Sequence, residues 1–197
     1  MGSAGSDPAQ TAQAVKILVA GGFGVGKTTL VGAVSEVAPL HTEEYLTRAS
    51  VGVDDLVGID GKTTTTVALD FGRITISDEL VVYLFGTPGQ ERFWFMWNDL
   101  VLGALGAVVL VDTRRLEVSF ASIDFFESRG VPFVVAVNCF HNVRDRTPEE
   151  VRTALDLDPQ VPLVMCDARE RTEGRDVLLT LVEHLMARSS APQPAGR

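Results

Sequence analysis

Apolar runs and segments of helical periodicity alternate along the chain. The runs are short, rich in Val, and typical of buried strands; they span residues 15–20, 67–76, 80–85, 106–112, 131–138 and 161–167. Between them apolar residues recur at helical spacing, which predicts about five helices in all; four of these cover residues 28–38, 116–128, 148–155 and 176–187. The alternation predicts an α/β domain with a mostly parallel sheet of six strands.

The second and third strands break this pattern. Only Ser77, Asp78 and Glu79 separate them, which is too short for a crossover helix and predicts a hairpin with one antiparallel edge strand. The stretch before the hairpin, residues 39–66, is polar, rich in Thr and without periodicity, and we interpret it as a functional loop.

A glycine-rich turn follows the first strand. Residues 21–28 read GGFGVGKT, in which Gly21, Gly26, Lys27 and Thr28 fit the phosphate-loop pattern. A strand precedes the turn and a helix follows it, as this loop requires. Glycines let backbone N–H groups surround a phosphate, Lys27 reaches the outer phosphates, and the Thr28 hydroxyl is a ligand for Mg²⁺.

Composition and charge limit the other functions. The chain has 197 residues, of which 46% are hydrophobic, and a net charge of −9, so we expect one domain over residues 15–188 and no non-specific binding to nucleic acid. No apolar run is long enough for an integral membrane segment, and no secretion signal is recognisable, which predicts a cytoplasmic protein. We expect residues 1–14 and 189–197 to be disordered tails.

A second motif suggests a family. The stretch GTPGQERF, residues 86–93, is similar to the second switch of the Ras-like small GTPases, and within them the chain most resembles the bacterial MglA-like and conservon-type branch. The resemblance implies a P-loop NTPase with a Ras-like three-layer sandwich. It also implies a GTP/GDP switch that uses Mg²⁺, a regulatory protein partner of roadblock type, and recruitment to the membrane through partners.

The resemblance also assigns residues. The phosphate-binding set is Gly24, Val25, Gly26, Lys27, Thr28, Thr29 and Gly89. Thr28 and Thr66 would hold the metal, with Thr65 as the alternative to Thr66. Lys27 and Gln90 would be catalytic, since the family's glutamine orients the attacking water.

Two departures from the family concern metal and turnover. The acidic residue that opens the second switch is replaced by Gly86, which removes a carboxylate near the metal unless Asp70 or Asp112 substitutes from a neighbouring strand. Phe23 stands where the family usually has glycine, and its bulk crowds the γ-phosphate, so we expect slow hydrolysis.

A third departure concerns the base. Asn138 begins the guanine-reading motif, but His141 replaces its aspartate, and a neutral His accepts only one of the two N–H bonds. Asp145 is a possible stand-in, and Cys139-Phe140 could form the wall against the base. Asp167 and Ala168 resemble the last motif, in which the alanine N–H meets guanine. Specificity for guanine over adenine is therefore expected to be relaxed.

The segment FWFMW, residues 93–97, follows the switch. Five bulky apolar residues in succession cannot all face inward on a helix. Core packing could account for Phe93 and Met96, whereas Trp94 and Trp97 are interpreted as anchors for a partner that reads the switch.

These features favour a GTP/GDP-binding molecular switch with slow hydrolysis. One alternative is a nucleotide-binding interaction protein without significant turnover. An ATP-using kinase is disfavoured, because no lid-like arginine cluster follows the loop.

Overall fold

A computed structural model describes residues 12–38, 40–46 and 65–190. Seven strands form one sheet in the order β2-β3-β4-β1-β5-β6-β7. Their bounds are β1 Gln13–Ala20, β2 Leu40–Leu46, β3 Thr65–Ser77, β4 Leu80–Gly86, β5 Ala104–Val111, β6 Phe133–Asn138 and β7 Leu163–Cys166. The predicted fold class, a mostly parallel sheet with one antiparallel strand between helices, is confirmed.

Two details of the prediction were wrong. The segment interpreted as a loop contains β2, and β3 begins within it at Thr65, so the sheet has seven strands rather than six. The strand that runs opposite to the others is β3, and it is not at the edge, because β2 pairs antiparallel with its outer side. β2 reads LHTEEYL and lacks an apolar run; it satisfies the backbone groups that β3 would otherwise expose.

Helices cover both faces of the sheet. The α-helices are α1 Lys27–Val34, α2 Trp97–Leu100, α3 Phe120–Ser128, α4 Pro148–Ala154 and α5 Arg171–Ser190, and short 3₁₀ segments cover Glu91–Met96, Leu116–Ser119 and Phe140–Asn142. One core cluster joins α1 and α5 to the sheet through residues such as Leu30, Val34 and Leu181. A second joins α2, α3 and α4 to the other face. The result is three layers.

The parallel strands place their carboxyl ends on one side of the molecule. Val19 of β1 pairs with Gly86 of β4, and Asn138 of β6 pairs with Cys166 of β7. The phosphate loop, the switch motif and both base motifs therefore leave the sheet at the same edge, where ligands bind in open α/β sheets.

Of the predicted tails, residues 1–11 and 191–197 lie outside the described residues, and β1 already begins at Gln13. Most of the predicted functional loop, residues 47–64, also lies outside them. No helix in the described part of the chain is long and apolar enough to cross a membrane.

Candidate functional site

The glycines of the phosphate loop have backbone conformations that other residues rarely adopt. Gly21, Gly24 and Gly26 have φ values of 136°, 77° and 106°, in the region where a Cβ atom is strained. Gly26 also lies so close to Asn138 that a Cβ would come within 2.5 Å of its Nδ2 atom. Helix α1 begins at the next residue, so the loop presents the N-terminus of a helix, which favours anions.

Lys27 lies inside this loop. Its side chain is buried, and Nζ donates hydrogen bonds to the carbonyl oxygens of Gly21 and Gly22 at 2.9 and 2.7 Å. Burial lowers the pKa of Lys27 to about 8, and the negative charge of Asp70 opposes part of that shift. The ammonium is thus held by backbone oxygens at the place where phosphate would compete for it.

Thr28 is paired with a carboxylate from β3. Its hydroxyl donates to Oδ2 of Asp70 at 2.8 Å. Asp70 pairs with Gly86 across the β3–β4 ladder, and a Cβ on Gly86 would come within 2.8 Å of both Cβ and Oδ2 of Asp70. Asp70 therefore occupies the space in front of Gly86 and places a carboxylate beside the switch motif from the neighbouring strand.

The other carboxylate considered for this role lies elsewhere. Asp112 is buried and accepts hydrogen bonds from the backbone and guanidinium of Arg114, which hold its pKa below the usual range. Asp112 is engaged in that ion pair and does not reach Thr28.

The predicted metal residue Thr66 is not brought to this cluster. Its backbone pairs with Tyr45 in the β2–β3 ladder, four residues from Asp70, which is about 13 Å along a strand. Thr65 is one residue further. The local pattern of residues 39–66 predicts a loop and does not reveal that both threonines belong to β3.

The switch motif closes the other side of the site. Thr87 N donates to Val19 O at 2.8 Å and attaches the segment to β1. Gly89 lies against the phosphate loop: a Cβ there would come within 2.6 Å of Lys27 Nζ and 2.8 Å of Gly22 O. Only glycine fits this position.

One cavity of about 470 Å³ lies between the phosphate loop and the switch motif. Its lining includes most of the residues predicted to bind phosphate or metal or to act in catalysis: Gly24, Gly26, Lys27, Thr28, Thr29, Gly89 and Gln90. Asp70 and Arg92 also line it. Phe23 stands at its mouth, 65% exposed, and its carbonyl accepts from Arg115 at 2.9 Å.

The predicted base residues lie close together, but their hydrogen-bond partners differ from those predicted. Asn138 donates through Nδ2 to Val25 O at 2.9 Å and accepts through Oδ1 from Ala168 N at 3.0 Å. The asparagine thus ties the phosphate loop to the segment that follows β7. The Ala168 N–H, predicted to face the base, is engaged by Asn138.

An arginine occupies the side of the base site where a carboxylate was expected. Arg169 donates two guanidinium hydrogen bonds to Asp167, at 3.0 and 2.6 Å, which hold the pKa of that carboxyl well below its usual range. Another of its nitrogens lies 3.3 Å from Nδ1 of His141, whose φ is 57°. Arg169 is not among the residues predicted for the base site, and only its spacing from Asp167 could have suggested this pair. Asp145 is exposed in the adjoining loop.

The predicted interface anchors require a correction. Trp97 is 2% exposed and packs against Phe125 and Phe126 of α3, and its Nε1 donates to Pro88 O at 3.1 Å. Trp94 is half-buried against Trp97. Glu91–Met96 is a 3₁₀ segment with three residues per turn, and Trp97 begins α2 directly after it. Trp94 and Trp97, three residues apart, therefore share a face, and here it is the inner face. Phe95, which is 60% exposed, is the residue on the surface.

The sequence is similar to those of several known proteins. Over 126 residues the chain is 32% identical to the uncharacterized protein MJ1339 of Methanocaldococcus jannaschii, which covers 63% of this chain and 69% of that protein. It is 25% identical over 165 residues to the human Ras-related protein Rab-7b, covering 79% of this chain and 74% of the relative. The similarity to the Rab protein indicates distant homology to Ras-family GTPases.

Solved structures share the fold. The G domain of the T. maritima FeoB iron transporter has a TM-score of 0.58 at 17% identity and covers 90% of this chain and 100% of that domain. The GDP form of the FeoB cytosolic domain has a TM-score of 0.62 at 16% identity, with 89% of this chain and 64% of that longer chain covered. Residues 19–188, from the end of β1 to near the end of α5, match one family throughout, and the chain therefore belongs to the family described as "Conserved hypothetical ATP binding protein".

Proposed function

We propose that this protein binds a purine nucleoside di- or triphosphate with Mg²⁺ in the 470 Å³ cavity and acts as a GTP/GDP-dependent switch with slow hydrolysis. The observation that carries the proposal is the convergence of Lys27, the Thr28–Asp70 pair and Gly89 on that cavity. These residues come from three separate elements and supply, in one place, a cation, oxygen ligands and a backbone N–H.

The oxygen donors fit Mg²⁺. This cation prefers hard oxygen ligands and is usually bound by one or two side chains together with phosphate oxygens and waters. The Thr28 hydroxyl and the Asp70 carboxylate lie 2.8 Å apart and meet that requirement. The bound metal would neutralise charge on the phosphates. Among the described residues no group of three or more His, Cys, Asp or Glu forms a metal cage, so the phosphates would have to complete the coordination.

Each residue then has a defined task. Lys27 would exchange its bonds to Gly21 and Gly22 for phosphate oxygens, which attract an ammonium more strongly than carbonyls do. Gln90 lines the same cavity and would orient the attacking water. Phe23 reduces the room for that water and for any group approaching from a partner, which is why we propose slow turnover.

The residues expected to contact the base differ from the guanine-reading motif of the Ras-like GTPases. His141 and Arg169 present donors and a single His acceptor, whereas guanine offers two N–H donors at its Watson–Crick edge. The family description names ATP, and the Rab relatives are Ras-related proteins. We propose relaxed discrimination between GTP and ATP.

The proposal includes a protein partner. Hydrolysis would release the switch segment from the γ-phosphate, and Phe95, five residues after Gln90 in the chain, is exposed. A roadblock-type regulator, implied by the resemblance, would contact this surface of a cytoplasmic protein and could recruit it to the membrane.

The experiment is to purify the protein, denature it, and identify released nucleotide by chromatography. The expected result is GDP, with or without ADP, in the unchanged protein and much less in Lys27→Ala. Lys16→Ala is the matched control, because Lys16 is distant in the fold, where it donates to Leu102 O. Equal nucleotide in the unchanged protein and in a folded Lys27→Ala variant would exclude the site.

One alternative has specific support. Phe23 at the cavity mouth and Arg169 at the base site both depart from an efficient GTPase. A protein that binds nucleotide only to stabilise an interaction surface would retain nucleotide but release no phosphate over many hours, which a phosphate-release assay distinguishes.

A further inference from the structure

The indole of Trp97 connects the peptide beside the nucleotide cavity to the aromatic core. Its ring meets Phe125 edge-on, with centroids 5.1 Å apart, and packs on Phe126 at 6.1 Å. Both rings belong to α3, so the indole has a fixed orientation. Its Nε1 donates to the carbonyl oxygen of Pro88 at 3.1 Å.

This hydrogen bond determines the direction of the next N–H group. The described residues contain no cis peptide bond, and in a trans peptide the C=O and N–H groups point in opposite directions. Because the Pro88 carbonyl faces Trp97 in the core, the N–H of Gly89 faces away from the core. Within the described residues, the Gly89 N–H donates to no protein acceptor.

The opposite side of this peptide is the cavity. Pro88 and Gly89 both line it, and Gly89 lies within contact distance of Lys27 Nζ and Gly22 O. A peptide preceding a glycine can rotate at little steric cost, since the glycine has no Cβ. Thr87 N is attached to β1 before this peptide, and the Trp97 bond is the constraint that acts on the peptide itself.

We propose that Trp97 is a positioning residue that holds the Pro88–Gly89 peptide with its N–H directed at the γ-phosphate, and so sets the preference for nucleoside triphosphate over diphosphate. The inference rests on the proposed nucleotide function of the cavity. A diphosphate has no γ-phosphate to accept this N–H, so only triphosphate binding depends on the orientation.

The chain contains its own control. Trp94 is the other of the two tryptophans, it packs on Trp97, and its buried Nε1 has no hydrogen-bond partner in the described structure. Replacing either tryptophan by Phe removes one indole N–H and keeps an aromatic ring. Only at residue 97 does that change remove a hydrogen bond to the switch peptide.

The test is to titrate GDP and a non-hydrolysable GTP analogue into the unchanged protein, Trp97→Phe and Trp94→Phe. We expect Trp97→Phe to weaken analogue binding about tenfold, the scale of one lost hydrogen bond to a charged group, with GDP binding unchanged. Trp94→Phe should change neither. If Trp97→Phe weakened the binding of GDP and of the analogue equally, or weakened neither, the proposal would be overturned while the proposed function would stand. Binding of neither nucleotide by the unchanged protein would overturn both.

A second measurement covers a Trp97→Phe protein that does not fold. In Trp94→Phe the fluorescence of Trp97 is the only tryptophan signal, and we expect its emission to be the same in the GDP-bound and analogue-bound forms, because the indole keeps Pro88 O as its acceptor in both. A shift in emission between the two forms would show that this bond changes when the γ-phosphate binds and would overturn the proposal.

Discussion

Asp70 on β3 and Gly86 on β4 lie opposite each other, and the carboxylate of the first fills the space above the second. A side chain at residue 86 and the one at residue 70 would place their Cβ atoms within 2.8 Å, so the two positions can carry only one large side chain between them. Asp70 thus presents beside Thr28 the kind of acidic group that the resemblance would place at residue 86.

Exchanging these two residues should preserve the site. Asp70→Asn is expected to weaken Mg²⁺ binding about 10- to 100-fold, the usual effect of losing a partner of a metal site. Gly86→Asp alone should destabilise the protein by steric conflict with Asp70. The double variant Asp70→Gly with Gly86→Asp should recover much of the Mg²⁺ affinity, measured as the Mg²⁺ dependence of nucleotide release. A double variant no better than Asp70→Asn would show that the position of the carboxylate on β3 matters in its own right.

Nucleotide affinity should fall at alkaline pH. Burial gives Lys27 a pKa of about 8 in the unbound protein, and bound phosphate, which favours the charged ammonium, must raise that pKa. Above pH 8 the protein therefore has to take up a proton when it binds, so affinity decreases with rising pH, towards about tenfold per pH unit. Below pH 7 the lysine is charged in both states and the effect disappears.

Titrations of GDP at several pH values provide the measurement. Lys27→Arg, whose guanidinium stays protonated, should bind with little pH dependence in this range. Lys16→Arg, at the distant lysine, should keep the pH dependence of the unchanged protein. If GDP affinity lost its pH dependence in Lys16→Arg, the effect would not come from Lys27.

The base preference should depend on Arg169 as well as on His141. In His141→Asp alone, the new carboxylate would lie beside Arg169, only 3.3 Å from the present ring nitrogen, and would form an ion pair with it. We expect little gain in guanine preference. His141→Asp with Arg169→Ala should free an acceptor and sharpen the preference for GDP over ADP by about 1–3 kcal/mol. The ratio of GDP to ADP affinities is the measurement, and a full gain in the single variant would contradict the role given to Arg169.

Removing the aromatic ring at the cavity mouth should accelerate hydrolysis. Phe23→Gly opens room for the water held by Gln90, and we expect GTP turnover to rise about tenfold, which corresponds to ~1.4 kcal/mol of barrier. Phe120→Ala, an exposed aromatic residue of α3 away from this cavity, is the control. Phosphate release under single-turnover conditions measures both. An unchanged rate in Phe23→Gly would mean that crowding is not what limits turnover.

Features that depend on residues close together in the chain can be predicted from the sequence alone. The phosphate loop, with a strand before Gly21 and a helix after it, follows from local glycine spacing and hydrophobic period. The helix predicted over residues 28–38 spans Lys27–Val34 in the structure, so its presence was predicted and its end was not. The alternation of strands and helices fixed the fold class for the same reason.

Contacts between residues on different strands depend on how the sheet is assembled. The register of β3 against β4 places Asp70 in front of Gly86. Pairing with the long strand β3 makes a strand of the polar segment Leu40–Leu46. No local sequence pattern predicts either the register or this strand. A run of aromatic residues likewise does not reveal which ring is buried. Packing against α3 turned Trp97 inward and left Phe95 at the surface, because inside and outside are properties of the assembled layers and not of the segment.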